Sequence, residues 1–265
     1  MKTIIDMHAH IFPEKISLKA TTAVGDFYDT KMPFVGNSET LLKLGRAAGV
    51  TKYVVHSVAT TPHQVRSIND YIAAQCAEHP EFIGFGALHP DCEDIGCEVE
   101  RIISLGLKGI KLHPDFQRFL IDDDKAMPIY EAAEGRLPII FHTGDYRYEW
   151  SKPQRLAWVI DRFPRLDCVA AHFGGWSEPD TAITALLERR CWVDTSSTYG
   201  FLSDPDKVYS LLELWGADRI MFGSDFPMWD PKNELAWLAK CGLPEEDMEK
   251  ILHGNIEKLL NITED

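Results

Sequence analysis

Ile4-Ile5-Asp6-Met7-His8-Ala9-His10 is an apolar pair running into a His-x-His pair, and its reading decides the fold. In a strand, residues two apart point to the same face, so His8 and His10 can aim two imidazoles at one point, as a bound transition metal requires. Alone, such a pair is also a common surface feature. It gains weight because the same order recurs along the chain: a short apolar run ends on a polar residue, and a helical stretch follows.

After the first strand, further strands are expected at 53–58, 82–88, 107–113, 137–142, 166–172, 191–194 and 219–224. Helices are expected at 38–48, where a serine starts the helix and Gly49 stops it, and then at 64–78, 95–104, 125–134, 154–162, 180–189, 207–215 and 233–238. The strands read as mainly apolar runs, the mark of parallel strands buried on both faces. Eight strands alternating with helices define a (β/α)8 TIM barrel of one domain over 1–265, and barrels of this kind typically take about 250 residues. A doubly wound open sheet competes, but no glycine-rich phosphate loop follows the first strand. The stretch 11–36, with Pro13, Gly25, Pro33 and Gly36 among aromatics, reads as an ordered excursion over one end of the fold. Residues 245–260 are expected to be helical and to cover the barrel.

The chain has 27 Lys and Arg against 41 Asp and Glu, a net charge of −14, and no basic stripe. Nucleic acid and anionic membrane surfaces are therefore poor partners, and the acidity suits a soluble cytoplasmic protein. No apolar core of a signal peptide precedes Asp6, and no stretch of 18 apolar residues suits a membrane. Cys76, Cys92, Cys97, Cys168, Cys191 and Cys241 are scattered and read as free thiols of a reducing compartment; Cys92 and Cys97 lack a matching pair for a zinc clip.

In a barrel of this kind the active site lies at the C-terminal ends of the strands. Those ends carry His8 and His10, His56 or Ser57, His89, His113, His142, His172, Asp194 and Asp225, whereas His63, His79 and His253 fall on helices and loops. His142 closes Pro138-Ile139-Ile140-Phe141; beside the His8/His10 pair it is read as a metal ligand rather than a core histidine. Asp225 sits where the eighth strand meets the first and is read as a ligand or base rather than a turn residue. His172, followed by Phe173-Gly174-Gly175, is a second-site ligand or the acid/base. Lys111 is a charge in an apolar strand, so it should be paired or modified: carbamylated it could bridge two metals, unmodified it could bind a substrate carboxylate, and the second is favoured. His113 joins it as a second-metal or substrate residue. Asp6 should support a ligand or a neighbouring strand. Arg118, Arg147, Tyr148, Trp150, Trp176 and Trp229 follow strands and could line the pocket, the arginines meeting a substrate carboxylate.

Five motifs in this order, Asp6-x-His8-x-His10 with Pro13, Gly109-Ile110-Lys111-Leu112-His113-Pro114, Pro138-Ile139-Ile140-Phe141-His142, Ala171-His172-Phe173-Gly174-Gly175 and Phe222-Gly223-Ser224-Asp225-Phe226-Pro227, resemble those of the amidohydrolase superfamily. The branch is the amidohydrolase-related one that contains aminocarboxymuconate-semialdehyde decarboxylase, resorcylate decarboxylases and several hydrolases. The resemblance covers nearly the whole chain, down to Ile251-Leu252-x-Gly254-Asn255. It implies that His8, His10, His142 and Asp225 bind one divalent metal, Zn2+ first and Mn2+ second, with His172 the catalytic histidine. Phe173 departs from the glycine run expected directly after that histidine.

The leading expectation is a metal-dependent hydrolase, a zinc-activated water attacking an amide or ester of a small molecule while Asp225 or His172 moves the proton. The alternative is a lyase that decarboxylates an aromatic or unsaturated acid without oxidation, a histidine or Asp225 delivering the proton to carbon. A third reading, a binding protein with a structural metal, predicts a site closed by four ligands. A homo-oligomer is compatible with the sequence.

Overall fold

The computed structural model describes residues 3–201 and 204–262. Eight parallel strands pair in chain order: β1 (Ile5–His10), β2 (Lys52–His56), β3 (Phe82–Ala87), β4 (Gly109–Leu112), β5 (Ile139–Phe141), β6 (Cys168–Ala170), β7 (Trp192–Asp194) and β8 (Ile220–Met221). The segment after β8 then returns to β1. Met7 N donates to Phe222 O at 2.8 Å, Asp225 N to His8 O at 2.8 Å and His10 N to Phe226 O at 2.7 Å. The sheet is thus a (β/α)8 barrel, and the open sheet, whose edge strands never meet, is ruled out.

Helices between the strands bury one stripe each. Ile95–Ser104 starts on Asp94, whose carboxylate accepts from Cys97 N at 2.9 Å, and buries Ile95, Val99 and Ile102, spaced four and three apart. Ser38–Ala48 ends on Gly49 as expected, in the left-handed region, but its cap is Asn37 rather than the serine: Asn37 Oδ1 accepts from Thr40 N at 2.9 Å. Gly109 in β4 is required for room, because a Cβ there would lie 2.2 Å from the Phe85 ring.

The N-terminal end of the barrel is plugged. After Glu245–Glu249, one π turn at Lys250–Gly254 leads into Asn255–Leu260, whose Ile256 and Leu259 pack on Ile5, Met7, Val54, Phe85, Ile140, Val169 and Met221. Asn255 Nδ2 fixes this cover by donating to Ala217 O at 2.6 Å and Ile220 O at 2.7 Å.

The excursion at 11–36 contains a 15-residue helix, Glu14–Tyr28, that the sequence reading did not assign. Its buried positions are Ser17, Thr21 and Gly25, while Ile16 and Leu18 are exposed, so the usual apolar-inside signal is reversed. The cysteines are free thiols, and no helix among the described residues is long and apolar enough to cross a membrane.

Candidate active site

β6 and β8 end earlier than their apolar runs because the chain turns sharply there. His172 and Phe173 take φ of 59° and 54°, Ser197 62° and Asp225 59°, a left-handed conformation that costs a non-glycine residue about 1–3 kcal/mol. Phe173, in the place of a glycine, therefore adopts a glycine-like turn. Gly144 follows β5 at φ 78°, and a Cβ on it would fall 2.4 Å from Gly175 Cα, so the loops after β5 and β6 touch backbone to backbone. Strain and close approach are concentrated around the barrel mouth.

His8 is aimed by Asp194. That fully buried carboxylate takes His8 Nδ1 at 2.9 Å on one oxygen and, on the other, His172 N at 2.9 Å, Ser196 N at 3.1 Å and the Ser196 hydroxyl. With Nδ1 donating, His8 Nε2 is left with its lone pair. It faces His10 Nε2 at 3.3 Å, and Asp225 Oδ1 lies 3.6 Å from each. A tetrahedral site with bonds of about 2.1 Å separates its donors by roughly 3.4 Å. Two facing imidazole nitrogens beside a carboxylate oxygen are a donor set with no proton of its own to share, so these residues fit a divalent cation. Ser197 Oγ donates to Asp225 Oδ2 at 2.6 Å and leaves Oδ1 for this face.

Lys111, 1% exposed, sets its Nζ 3.1 Å from His8 Nε2. Burial lowers its ammonium to about 8, against the pull of Asp194 and Asp225. Asp6 has the supporting role expected: it accepts from His8 N at 3.0 Å, Ser224 N at 2.9 Å and Ser224 Oγ at 2.5 Å, tying β1 to the loop after β8. Burial pushes its carboxyl up to about 7 against those hydrogen bonds.

His142 stands apart from the trio, joined to it through His172. His142 Nδ1 and His172 Nε2 are 3.1 Å apart, and the His172 ring lies 5.1 Å from that of His8. The His142 ring stacks on His113 at 4.0 Å, and its Nε2 is 3.6 Å from buried Asp115. His113 Nδ1 accepts from Phe116 N at 3.3 Å; in a neutral ring its Nε2 then donates to Tyr28 Oη, 2.9 Å away. Burial first, then Lys111 and neighbouring imidazoles, holds His8, His10, His113 and His142 well below the ordinary histidine range, in the neutral form that an imidazole needs to ligate a metal. His56 is buried 4.4 Å from the His10 ring with neither nitrogen hydrogen-bonded.

These groups floor a cavity of about 440 Å3 whose lining includes His8, His10, Lys111, His113, His142, His172 and Asp225. None of the six loop residues expected to line it, Arg118, Arg147, Tyr148, Trp150, Trp176 and Trp229, belongs to its lining. Arg118 is exposed, turned outward at a left-handed residue that ends the short helix Pro114–Gln117. Arg147 is held by the buried Asp145 at 2.7 Å and donates to Phe27 O at 2.8 Å. Trp176 packs behind Tyr28, ring centres 5.0 Å apart. Asp194, Asp115 and Ser196 are the contributors that sequence reasoning gave no role; only the first sat at a strand end, where a signal existed.

The structure defines a parallel barrel with a metal-ligating cluster at its C-terminal mouth. The family profile described as Amidohydrolase matches residues 5–262, and the chain belongs to that family, as an enzyme of the amidohydrolase superfamily. Among curated proteins it is similar to gamma-resorcylate decarboxylases of Polaromonas sp. strain JS666, at 24% identity over 74% of this chain and 76% of the relative, and of Rhizobium sp. strain MTP-10005, at 22% identity over 98% of each. Solved structures with this fold include 5-carboxyvanillate decarboxylase from Sphingomonas paucimobilis, with TM-score 0.76, 18% identity and coverage of 99% and 100%. Another is dihydroxybenzoic acid decarboxylase from Polaromonas sp. JS666 with bound manganese, with TM-score 0.74, 18% identity and coverage of 100% and 98%. The expectation of amide or ester hydrolysis is corrected by these relatives, which are decarboxylases. The motifs did not separate the two chemistries because both use the same ligands.

Proposed function

We propose that residues 1–265 act as one barrel domain that decarboxylates an aromatic or unsaturated carboxylic acid without oxidation, with one divalent metal as cofactor. The observation that carries this reading is the cluster of His8, His10 and Asp225 beside Lys111 on the cavity floor; the direction of the chemistry follows the curated relatives, which act as gamma-resorcylate decarboxylases. His8, His10 and Asp225 would hold the metal; His142, the fourth ligand that the family resemblance implies, lies on the far side of His172 from them. When bound, the ion would fix substrate oxygens and offset their negative charge. Manganese is the first ion to test, since a solved neighbour holds it, and zinc the second.

Lys111 meets an anionic oxygen of the substrate on the floor, where burial strengthens the attraction. Asp225, positioned by Ser197, takes up a proton from water and hands it to the ring carbon that bears the carboxylate. The bond from that carbon to the carboxylate then breaks and its electron pair stays on the ring, where it takes the place of the lost bond; carbon dioxide leaves. His172, between His142 and Ser196, orients the neighbouring imidazole and is the second candidate for the proton. Tyr28 and the apolar walls keep bulk water from the carbon.

Metal-loaded protein incubated with 2,6-dihydroxybenzoate should release carbon dioxide and resorcinol, while aryl amides and esters stay intact. Ester turnover with no carbon dioxide from any aromatic acid would sink the reading.

A further inference from the structure

The helix Glu14–Tyr28 turns its small and polar residues inward and leaves an apolar stripe uncovered. Ile16, Ala20, Ala23 and Phe27, spaced four, three and four apart, share one side of the helix and line the cavity. Ile16 is 49% exposed, which an inward-packed isoleucine is not. Two alanines between two large side chains make a recess, and Phe116 and Met228 belong to the same lining.

This wall is anchored. Arg147 Nη1 donates to Phe27 O at 2.8 Å, and Gly36 N donates to Thr21 Oγ1 at 2.9 Å behind it. On the barrel strand β4, Lys111 is the one lysine or arginine among the described lining residues. The cavity, about 440 Å3, falls in the range of about 300–1,000 Å3 that encloses drug-sized ligands. One cationic side chain, Lys111, on the barrel strands and an uncharged recess on the helix specify the occupant.

We propose that the cavity takes an aromatic monocarboxylic acid whose alkyl or aryl substituent, remote from the carboxylate, lodges against Ala20 and Ala23. The identity of the acid group rests on the decarboxylase reading; the recess rests on the helix. A second carboxylate there would lose its water without meeting a cation, so diacids are disfavoured.

The test is calorimetric binding to the full chain loaded with Mn2+, using 2-nitroresorcinol and its 5-butyl and 5-carboxy homologues, which cannot decarboxylate at the nitro-bearing carbon. The butyl homologue should bind at least about tenfold tighter than the parent, and the carboxy homologue more weakly. Ala20→Trp, and separately Ala23→Phe, should erase the butyl advantage while melting at the temperature of the unaltered protein. Equal binding of parent and butyl homologue, tighter binding of the carboxy homologue, or a butyl advantage intact in both folded variants overturns the proposal. Carbon dioxide release from 2,6-dihydroxybenzoate is scored separately: its absence beside an intact butyl advantage sinks the decarboxylase reading and leaves the recess assigned.

Discussion

At the N-terminal end of the barrel interior, Val54, Phe85, Ile140, Val169 and Met221 close on one another and on Ile256. At the C-terminal end the same sheet presents His8, His56, Lys111, His142 and Asp194, all buried. Val54 and His56 are two residues apart on β2, and His142, just past the end of β5, follows Ile140 by two. One alternation therefore serves both ends, and what changes over two residues is the solvation cost. The apolar end gains stability from burial, whereas the polar end buries an ammonium, imidazoles and carboxylates that are stable only as a mutually satisfied set. Stability and chemistry are divided along the barrel axis.

The largest expected effect tests the polar end. His10→Ala should leave almost no metal by elemental analysis and reduce turnover by more than the about 10–100-fold that loss of a supporting partner costs. Unfolding in urea with chelator present should hardly change; a large loss of stability would break the division. At the other end, Phe85→Ala should cost about 3–5 kcal/mol in urea unfolding, with turnover per folded molecule kept. A catalytic defect there would mean that the two ends are not separable. Asp194→Asn sharpens the boundary: it removes the acceptor of His8 Nδ1–H without touching the cavity, and metal affinity, measured by competition with a chelator, should fall about 10–100-fold. The smallest effect belongs to the roof. Arg147→Ala removes a guanidinium that lies 4.8 Å from the Phe27 ring centre, and opening of the Glu14–Tyr28 helix, followed by hydrogen exchange, should become easier by about 0.5–1 kcal/mol.

The sequence reading recovered the strands and most helix bounds because a parallel barrel writes its elements as apolar runs separated by caps. Ile95–Ser104 is bounded in the structure by Asp94 and carries a regular buried stripe, and both features lie in the local sequence. Glu14–Tyr28 was missed for the reason that makes it useful: its apolar side faces a cavity, so no inward stripe marks it. The placement of His8, His10 and Asp225 at the cavity was legible from strand ends, and that of Lys111 from a charge inside an apolar strand. Arg118 and Arg147 were misplaced, because a left-handed residue turning one outward and a buried aspartate capturing the other are settled by contacts that spacing does not encode. Asp115 was unreadable for a like cause: its relation to His142 exists only after β4 and β5 pair.

The hydrogen bonds that shut the ring join residues from opposite ends of the chain, and Asp6 and Ser224, 218 positions apart, meet at that seam. His8 and His10 lie on one side of it and Asp225 on the other. A half-made or unzipped chain thus has no cluster, and an ion finds its donors only once the last strand has docked. An ion held there would favour the shut ring by mass action, a clasp between the first strand and the segment after the last.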